Sequence, residues 1–264
     1  MAQRIQKLLA HQGIASRRQI DEMLQQGRIA INGKTAKPGD QIEGNEKITI
    51  DGKPIRLTRH HIKPKMLMYH KPVGEVCTRD DPEGRPTVYR NLPGLQHGRW
   101  IGIGRLDINT SGLLLFTNHG ELANRLMHPS FELEREYAAR VRGEVTPDKL
   151  DALTTGIELA DGVARFDRII DSGGQGTNHW YHVILHEGKN REVRRLWEAV
   201  DIEVSRLVRV RYHDFQLPKW LKPGNYRLLD DEVVKRLFKQ LQLEYPAAEG
   251  RKPPRKKTRH GRRK

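Results

Sequence analysis

The stretch Gly104-Arg105-Leu106-Asp107-Ile108-Asn109-Thr110-Ser111-Gly112-Leu113-Leu114-Leu115-Phe116-Thr117 is where this sequence says most about chemistry. If Trp100 to Leu106 is extended, the two-residue period of a strand puts Arg105 and Asp107 on one face, a guanidinium beside a carboxylate at a strand end. A carboxylate so placed can act as nucleophile or as general base. An Asp followed by Asn109, Thr110, Ser111 and Gly112 is also what a tight turn uses, and on these residues alone the turn is the better reading.

A second cluster runs from Lys189 to Arg195. Val193, Leu196, Trp197 and Val200 recur at helical spacing, so a helix begins near Asn190, with Lys189 before it and Arg191 and Arg194 in its first turn. Acids are favoured at that end, so cations there add to the backbone donors and make an anion site. A buried Asp107 would need a cation to stay ionised, and Arg194 is the candidate. Arg191 shares a side with Arg194 and Arg195, while Val193 and Leu196 turn to the core. For Arg195 a water-exposed basic face is an equally good reading. Tyr137 shares a strand face with Ala139 and Val141 and reads as a core aromatic. His179, His182 and His186 nearly alternate along a strand, but without Cys or a paired carboxylate they predict no metal site. Trp180, Trp197 and Trp220 read as core or rim.

The elements that must hold these residues form an α+β pattern. Strands are predicted at Met66 to Tyr69, Trp100 to Ile103, Leu113 to Thr117, Glu136 to Val141, His182 to His186 and Val204 to Tyr212, with antiparallel connections. Helices are predicted at Glu121 to Met127, after Thr146 with Pro147 in the first turn, around Val193 to Val200, and over Val234 to Leu241. The N-terminal part differs. Ile5, Leu8 and Leu9 mark a helix that breaks at Gly13, and Ser16 with Gln19 three residues on forms a capping box for a second helix that stops at Gly27. Ile29 and Ile31 then alternate into an Asn32-Gly33 hairpin turn. Arg17 and Arg18 lie in the second helix's first turn, against the helix dipole, which points to phosphate contacts.

Length and charge bound the answer further. At 264 residues the chain is long enough for about two domains. Residues 1–63 hold 12 basic and 6 acidic side chains, residues 64–250 hold 27 of each, and residues 251–264 hold 9 basic and none acidic. A neutral centre between cationic ends is what a catalytic domain flanked by polyanion-binding segments looks like. The linker from Arg59 to Pro64 has no apolar period, so domains are expected at 1–62 and 64–245, with a basic tail at 246–264 that is disordered until it binds. Cys77 is the one cysteine, which rules out an intramolecular disulfide and a Cys-based zinc cluster. No run approaches a membrane span, and Met1-Ala2-Gln3-Arg4 lacks a signal peptide's apolar core, so a cytoplasmic protein is expected. Gly102-Ile103-Gly104 continues as Arg105, Leu106 and Asp107, so neither a dinucleotide fingerprint nor a P-loop is present, and no nucleotide cofactor is expected.

Arg4 to Asp40, with Ser16-Arg17-Arg18, Gly27-Arg28 and Ile31-Asn32-Gly33-Lys34, resembles the S4 RNA-binding domain. Gly104 to Leu115 resembles the Gly-Arg-Leu-Asp-x-x-Thr-Ser-Gly-Leu-Leu signature of RNA pseudouridine synthases of the RsuA/RluB type. Tyr69-His70-Lys71-Pro72-Val73-Gly74, Arg135-Glu136-Tyr137 and Glu187 to Leu196 resemble that family's other motifs, and Cys77 to Thr87 and Arg194 to Val200 look most like its branch acting on large-subunit ribosomal RNA. Position 192 is Glu where much of the wider family has Gln. The resemblance implies Asp107 as the catalytic residue and Arg194 as its partner. It also implies Tyr137 in the base pocket, Arg105 filling the space of an extruded base, and Lys189 and Arg191 as phosphate contacts. It further implies ribosomal RNA, free or in a pre-ribosomal particle, as substrate for a monomeric enzyme without cofactor or metal.

The implied reaction breaks the N1–C1′ bond of uridine, turns the base and joins C5 to C1′, with no net gain of atoms or electrons. Such an isomerisation needs no redox cofactor, and Asp107 serves it either by attacking C1′ or by removing a sugar proton. The main rival is a non-enzymatic S4-type RNA-binding or assembly factor, which leaves the neutral central domain unexplained. A glycoside hydrolase would need a second carboxylate beside the bond, and the sequence offers no convincing one.

Overall fold

A computed structural model describes residues 2–57, 62–175 and 178–246. The linker is thus described only in part, and the expected disordered tail lies, from residue 247 on, outside the described residues.

The N-terminal part comprises β1 (Gln3–Arg4), α1 (Ile5–His11), α2 (Arg17–Gln25), β2 (Ile29–Ile31), β3 (Lys34–Thr35), β4 (Gln41–Ile42), β5 (Ile48–Ile50) and β6 (Lys53–Ile55). The capping box forms as expected: the Gln19 N–H donates to Ser16 Oγ at 3.1 Å, and the Ser16 N–H donates to Gln19 Oε1 at 2.9 Å. Ile5, Leu8, Leu9, Ile20, Leu24, Ile29, Ile42 and Ile48 close a core of their own. That core leaves Arg17 and Arg18 exposed on α2. Four short strands, in the order β3-β2-β5-β6, complete it.

The rest is built on one nine-stranded sheet. Its strands are β7 (Met66–Lys71), β8 (Ile101–Ile103), β9 (Ser111–Thr117), β10 (Arg135–Arg142), β13 (Arg168–Gln175), β14 (Asn178–Leu185), β15 (Glu203–Tyr212), β16 (Phe215–Gln216) and β17 (Tyr226–Leu228), and a separate hairpin joins β11 (Ile157–Leu159) to β12 (Gly162–Ala164). The order is β13-β14-β10-β15-β9-β7-β17, with β8 beside β9 and β16 beside β15. Helices α3 (Gly120–Met127) and α6 (Asp231–Gln240) bury Leu122, Leu126, Val234, Leu237 and Phe238 against Met66, Met68, Leu113 and Leu115. Helix α5 (Glu192–Glu198) buries Val193, Leu196 and Trp197 against Ala139, Val141, Val183 and Leu207, with α4 (Pro147–Thr155) adding Leu153. Among the described residues no helix is long and apolar enough to cross a membrane.

Two sequence expectations change here. The sheet is not wholly antiparallel, because β9 and β15 pair in parallel through Ser111 with Val208 and Gly112 with Arg209. The strand before Asp107 ends at Ile103, since Gly104 adopts a φ of +73°. Arg105 and Asp107 therefore sit in the loop beyond the strand rather than on its face. Trp197 is core, whereas Trp220 is 59% exposed.

Candidate active site

The crossing of the central strands brings the chemistry to one level of the sheet. Tyr137 on β10 lies opposite Arg209 on β15, Arg209 beside Gly112 on β9, and Gly112 opposite Lys71 on β7. Over this level opens a cleft of about 360 Å³, lined by Arg105, Asp107, Tyr137, Lys189, Arg191 and Arg209 among others.

Asp107 begins a turn, its carbonyl accepting from the Thr110 N–H at 3.0 Å. The expected turn former is thus found, and the turn places Asp107 among the residues that line the cleft. Each neighbouring carbonyl has a donor of its own. The Cys77 thiol donates to the carbonyl of Leu106 at 3.3 Å, and the Gly74 N–H donates to that of Ile108 at 2.9 Å. Arg194 Nη2 donates to that of Asn109 at 3.0 Å, and Lys71 Nζ to that of Thr110 at 2.8 Å. With every carbonyl from 106 to 110 engaged, the backbone that carries Asp107 is held from several sides, as a preorganised reactive group requires.

Two of those donors are buried cations. Lys71 is fully buried, and burial lowers its ammonium's pKa, against the pull of Cys77, Glu75 and Asp107. Burial likewise lowers that of Arg194, and Arg191 adds to it, while Asp107 and Glu198 oppose. Arg194 also donates from Nη1 to the carbonyl of Val204 at 2.7 Å. It forms no ion pair with Asp107; it braces the turn that carries that carboxylate, and the two charges attract through space.

The helix that carries Arg194 divides its cations. Arg195 turns away and makes a bidentate pair with Asp161 at 2.7 and 2.9 Å, rather than facing water unpaired. Arg191, in a left-handed conformation with φ +49°, caps α5 and is exposed at the cleft rim. Lys189 lines the cleft while its Nζ pairs with Glu187 at 2.9 Å. Tyr137 is half-buried, touching two core clusters and the cleft, so it is neither a pure core aromatic nor a free one. The three strand histidines do meet carboxylates: His179 with Asp171, His182 with Glu136 and His186 with Asp167. These are separate pairs, and no group of three metal-ligating side chains occurs among the described residues.

Residues 3–48 match the family model of the S4 domain, and residues 65–199 match that of RNA pseudouridylate synthase. The chain belongs to the RNA pseudouridylate synthase family. It is 52% identical over 247 residues to the ribosomal large subunit pseudouridine synthase B of Yersinia pestis, covering 92% of this chain and 78% of that protein. To the protein of that name from Escherichia coli (strain K12) it is 56% identical over 234 residues, covering 87% of this chain and 80% of that one. A crystal structure of a pseudouridylate synthase superposes with a TM-score of 0.61 at 26% identity, over 89% of this chain and 99% of the other. This chain is accordingly a pseudouridine synthase, with an S4 domain ahead of an α+β catalytic fold.

In this pseudouridine synthase the cleft gathers Arg105, Asp107, Tyr137, Lys189 and Arg191, places Arg194 directly behind the Asp107 turn, and leaves Arg17 and Arg18 on the S4 domain. One charged cleft residue, Arg209, escaped the sequence reading, while Arg135 and Glu192 appeared there only as motif members without a role. Arg209 is an arginine amid Leu207, Val208 and Val210, a pattern that becomes informative only once β15 is known to have neighbours on both sides. Burial raises the Glu192 carboxyl to about 7, against the Lys189 N–H that donates to it.

Proposed function

We propose that this enzyme isomerises particular uridines of large-subunit ribosomal RNA, with Asp107 as the group that attacks C1′ or removes the sugar proton. The large-subunit assignment is supported by the names of relatives that align over most of both chains. The observation that carries the role of Asp107 is its turn, braced at each carbonyl from 106 to 110 and opening on a cationic cleft. In this reading Arg194 positions the turn and supplies positive charge behind the carboxylate. Tyr137 stacks on the uracil, as an aromatic at a cleft wall does. The target uridine must leave its helix or loop to be reached, and Arg105 fills the space it vacates. Lys189 and Arg191 meet phosphates at the rim, and Arg17 and Arg18 do so on the S4 domain. The division into domains at 1–62 and 64–245 with a basic tail at 246–264, a monomeric state, a cytoplasmic setting and a reaction free of cofactor belong to the same proposal.

Ribosomal RNA labelled with tritium at uridine C5 tests it, because joining C5 to C1′ releases that hydrogen. Asp107→Asn keeps size and polarity but removes the charge, and should lower tritium release by at least about a hundredfold while RNA binding persists. A variant retaining more than about a tenth of the wild-type rate would remove Asp107 from the catalytic role. Binding without tritium release by the wild type would leave a non-enzymatic RNA-binding factor.

A further inference from the structure

Arg209 stands in the middle of the sheet, 2% exposed, and lines the cleft that holds Asp107. Its Nε donates to the Leu113 carbonyl at 2.8 Å, and its guanidinium lies 5.0 Å from the centre of the Tyr212 ring. The Tyr212 ring is itself fixed by its hydroxyl, which donates to the Leu126 carbonyl at 2.5 Å. One edge of the guanidinium is thereby locked. The other is not: Nη2 is buried without a hydrogen-bond partner, and no carboxylate pairs with Arg209 among the described residues. A buried cation with neither counter-ion nor full hydrogen bonding is costly. Two other arginines of the catalytic fold do have carboxylates: Arg211 pairs with Glu134 and Glu136, and Arg195 with Asp161. Two further buried polar atoms of the same cleft, Glu192 Oε1 and Thr110 Oγ1, also lack partners.

The reaction supplies what Arg209 lacks. When N1–C1′ breaks, the electron pair of that bond leaves with the base, whether Asp107 attacks C1′ or takes a sugar proton. The detached base is then an anion with its charge spread over N1, O2 and O4. It remains so until C5 bonds to C1′, as Asp107 leaves C1′ or returns the sugar proton; the neutral adduct then loses the C5 proton while N1 gains one. A preorganised donor in a dry site stabilises such transient charge far better than water-exposed groups do. We propose that Arg209 is a catalytic residue whose free Nη2 donates to a carbonyl oxygen of the departing uracil and stabilises the uracil anion. Its placement opposite Tyr137, across adjoining strands, would set the donor at the edge of a base that stacks on the tyrosine. The proposal rests on the pseudouridine synthase reading.

The test compares uridine with 5-fluorouridine at the target position of one RNA, since fluorine makes the base a better leaving anion. Single-turnover loss of the target nucleoside is followed by nuclease digestion and mass spectrometry, for wild type, Arg209→Gln and Arg209→Lys in the full chain. On uridine, Arg209→Gln should lose about a hundred- to a thousandfold in rate with little change in RNA affinity. On 5-fluorouridine that deficit should shrink by at least about tenfold, because less charge stabilisation is needed. Arg209→Lys keeps the buried charge, so it carries the comparison if the Gln variant does not fold, and it should show the same narrowing from a smaller deficit. Equal deficits on the two substrates would overturn the proposal, leaving Arg209 as a packing residue of β15. A wild type that binds the RNA but converts neither nucleoside would instead defeat the synthase reading itself.

Discussion

At the scale of single residues, the cleft sorts its titratable groups by burial. Glu192 is 4% exposed and its carboxyl is raised to about 7, with burial as the largest cause. Between about pH 4.5 and 7 the folded protein therefore holds a proton that the unfolded chain has released, so stability falls as pH rises through that window and levels off above it. Glu192→Gln keeps the acceptor for the Lys189 N–H and removes the charge. It should match wild type near pH 4.5 and exceed it by up to about 3 kcal/mol at pH 8, read from urea midpoints. A difference independent of pH would show that ionisation of Glu192 is not what destabilises. The same scale shows what sequence reasoning reaches. Asp107, Arg105 and Tyr137 were legible because a motif carries them. Arg194 was legible as a cation, but not the carbonyl of Asn109 as its partner, which depends on a turn's path. Lys71 was legible only as part of a motif, and its burial follows from the sheet around it. Arg209 was not, because inward and outward arginines on Arg206 to Arg211 look alike until the neighbours of β15 are known.

At the scale of elements, long periodic segments announced themselves, as did the short β2 and β8, whereas the remaining short strands and the non-local contacts did not. Strands β7, β9, β10 and β15 and all four helices expected in the central region form close to where apolar periodicity puts them, while β14 begins at Asn178 rather than at the expected His182. Strand β13 was hidden because Arg168–Gln175 contains Asp-Ser-Gly-Gly, a composition that reads as turn. The parallel contact of β9 with β15 joins residues far apart in sequence, and no local pattern encodes it. Gly112 makes that contact possible. Its φ is +112°, and a Cβ there would lie 2.3 Å from the backbone oxygen of Arg209 and 2.5 Å from its nitrogen. The glycine of the signature is thus required by the approach of two strands at the cleft floor. Gly112→Ala should cost about 3 kcal/mol or more and abolish turnover, because backbone on both sides must shift. Gly162→Ala is the fitting comparison, with φ +102° but nothing within 4 Å of its added Cβ. It should cost about 1 kcal/mol from backbone strain alone. Similar losses in thermal denaturation would mean that the approach of Arg209 imposes nothing beyond that strain.

At the scale of the whole molecule, charge is partitioned between a balanced central region and cationic ends, with residues 64–250 holding 27 basic and 27 acidic side chains. Counterion release rewards each phosphate contact with roughly 0.7 to 0.9 in the slope of log affinity against log salt, so the ends should supply most of that slope. The nine cations of residues 251–264 are unaccompanied by any acid. Deleting residues 251–264 should flatten the slope and weaken binding to cognate and scrambled RNA alike, since contacts to phosphates carry no sequence information. Replacing Arg17 and Arg18 with Gln should behave differently. Both are exposed on a helix whose capping box and buried Ile20 and Leu24 hold it in one orientation. Their loss should lower the slope by roughly 0.7 to 0.9 per contact and reduce the preference for cognate RNA. Neither change alters a residue of the strands that carry Tyr137 and Arg209 or of the turn that carries Asp107, so the rate at saturating RNA should hold in both. Filter binding over a range of salt, with both RNAs, measures these effects together. An unchanged slope in both variants would place the salt-sensitive contacts at the cleft, where Arg105, Arg135, Lys189 and Arg191 form a local positive field that the balanced charge of the surrounding domain conceals.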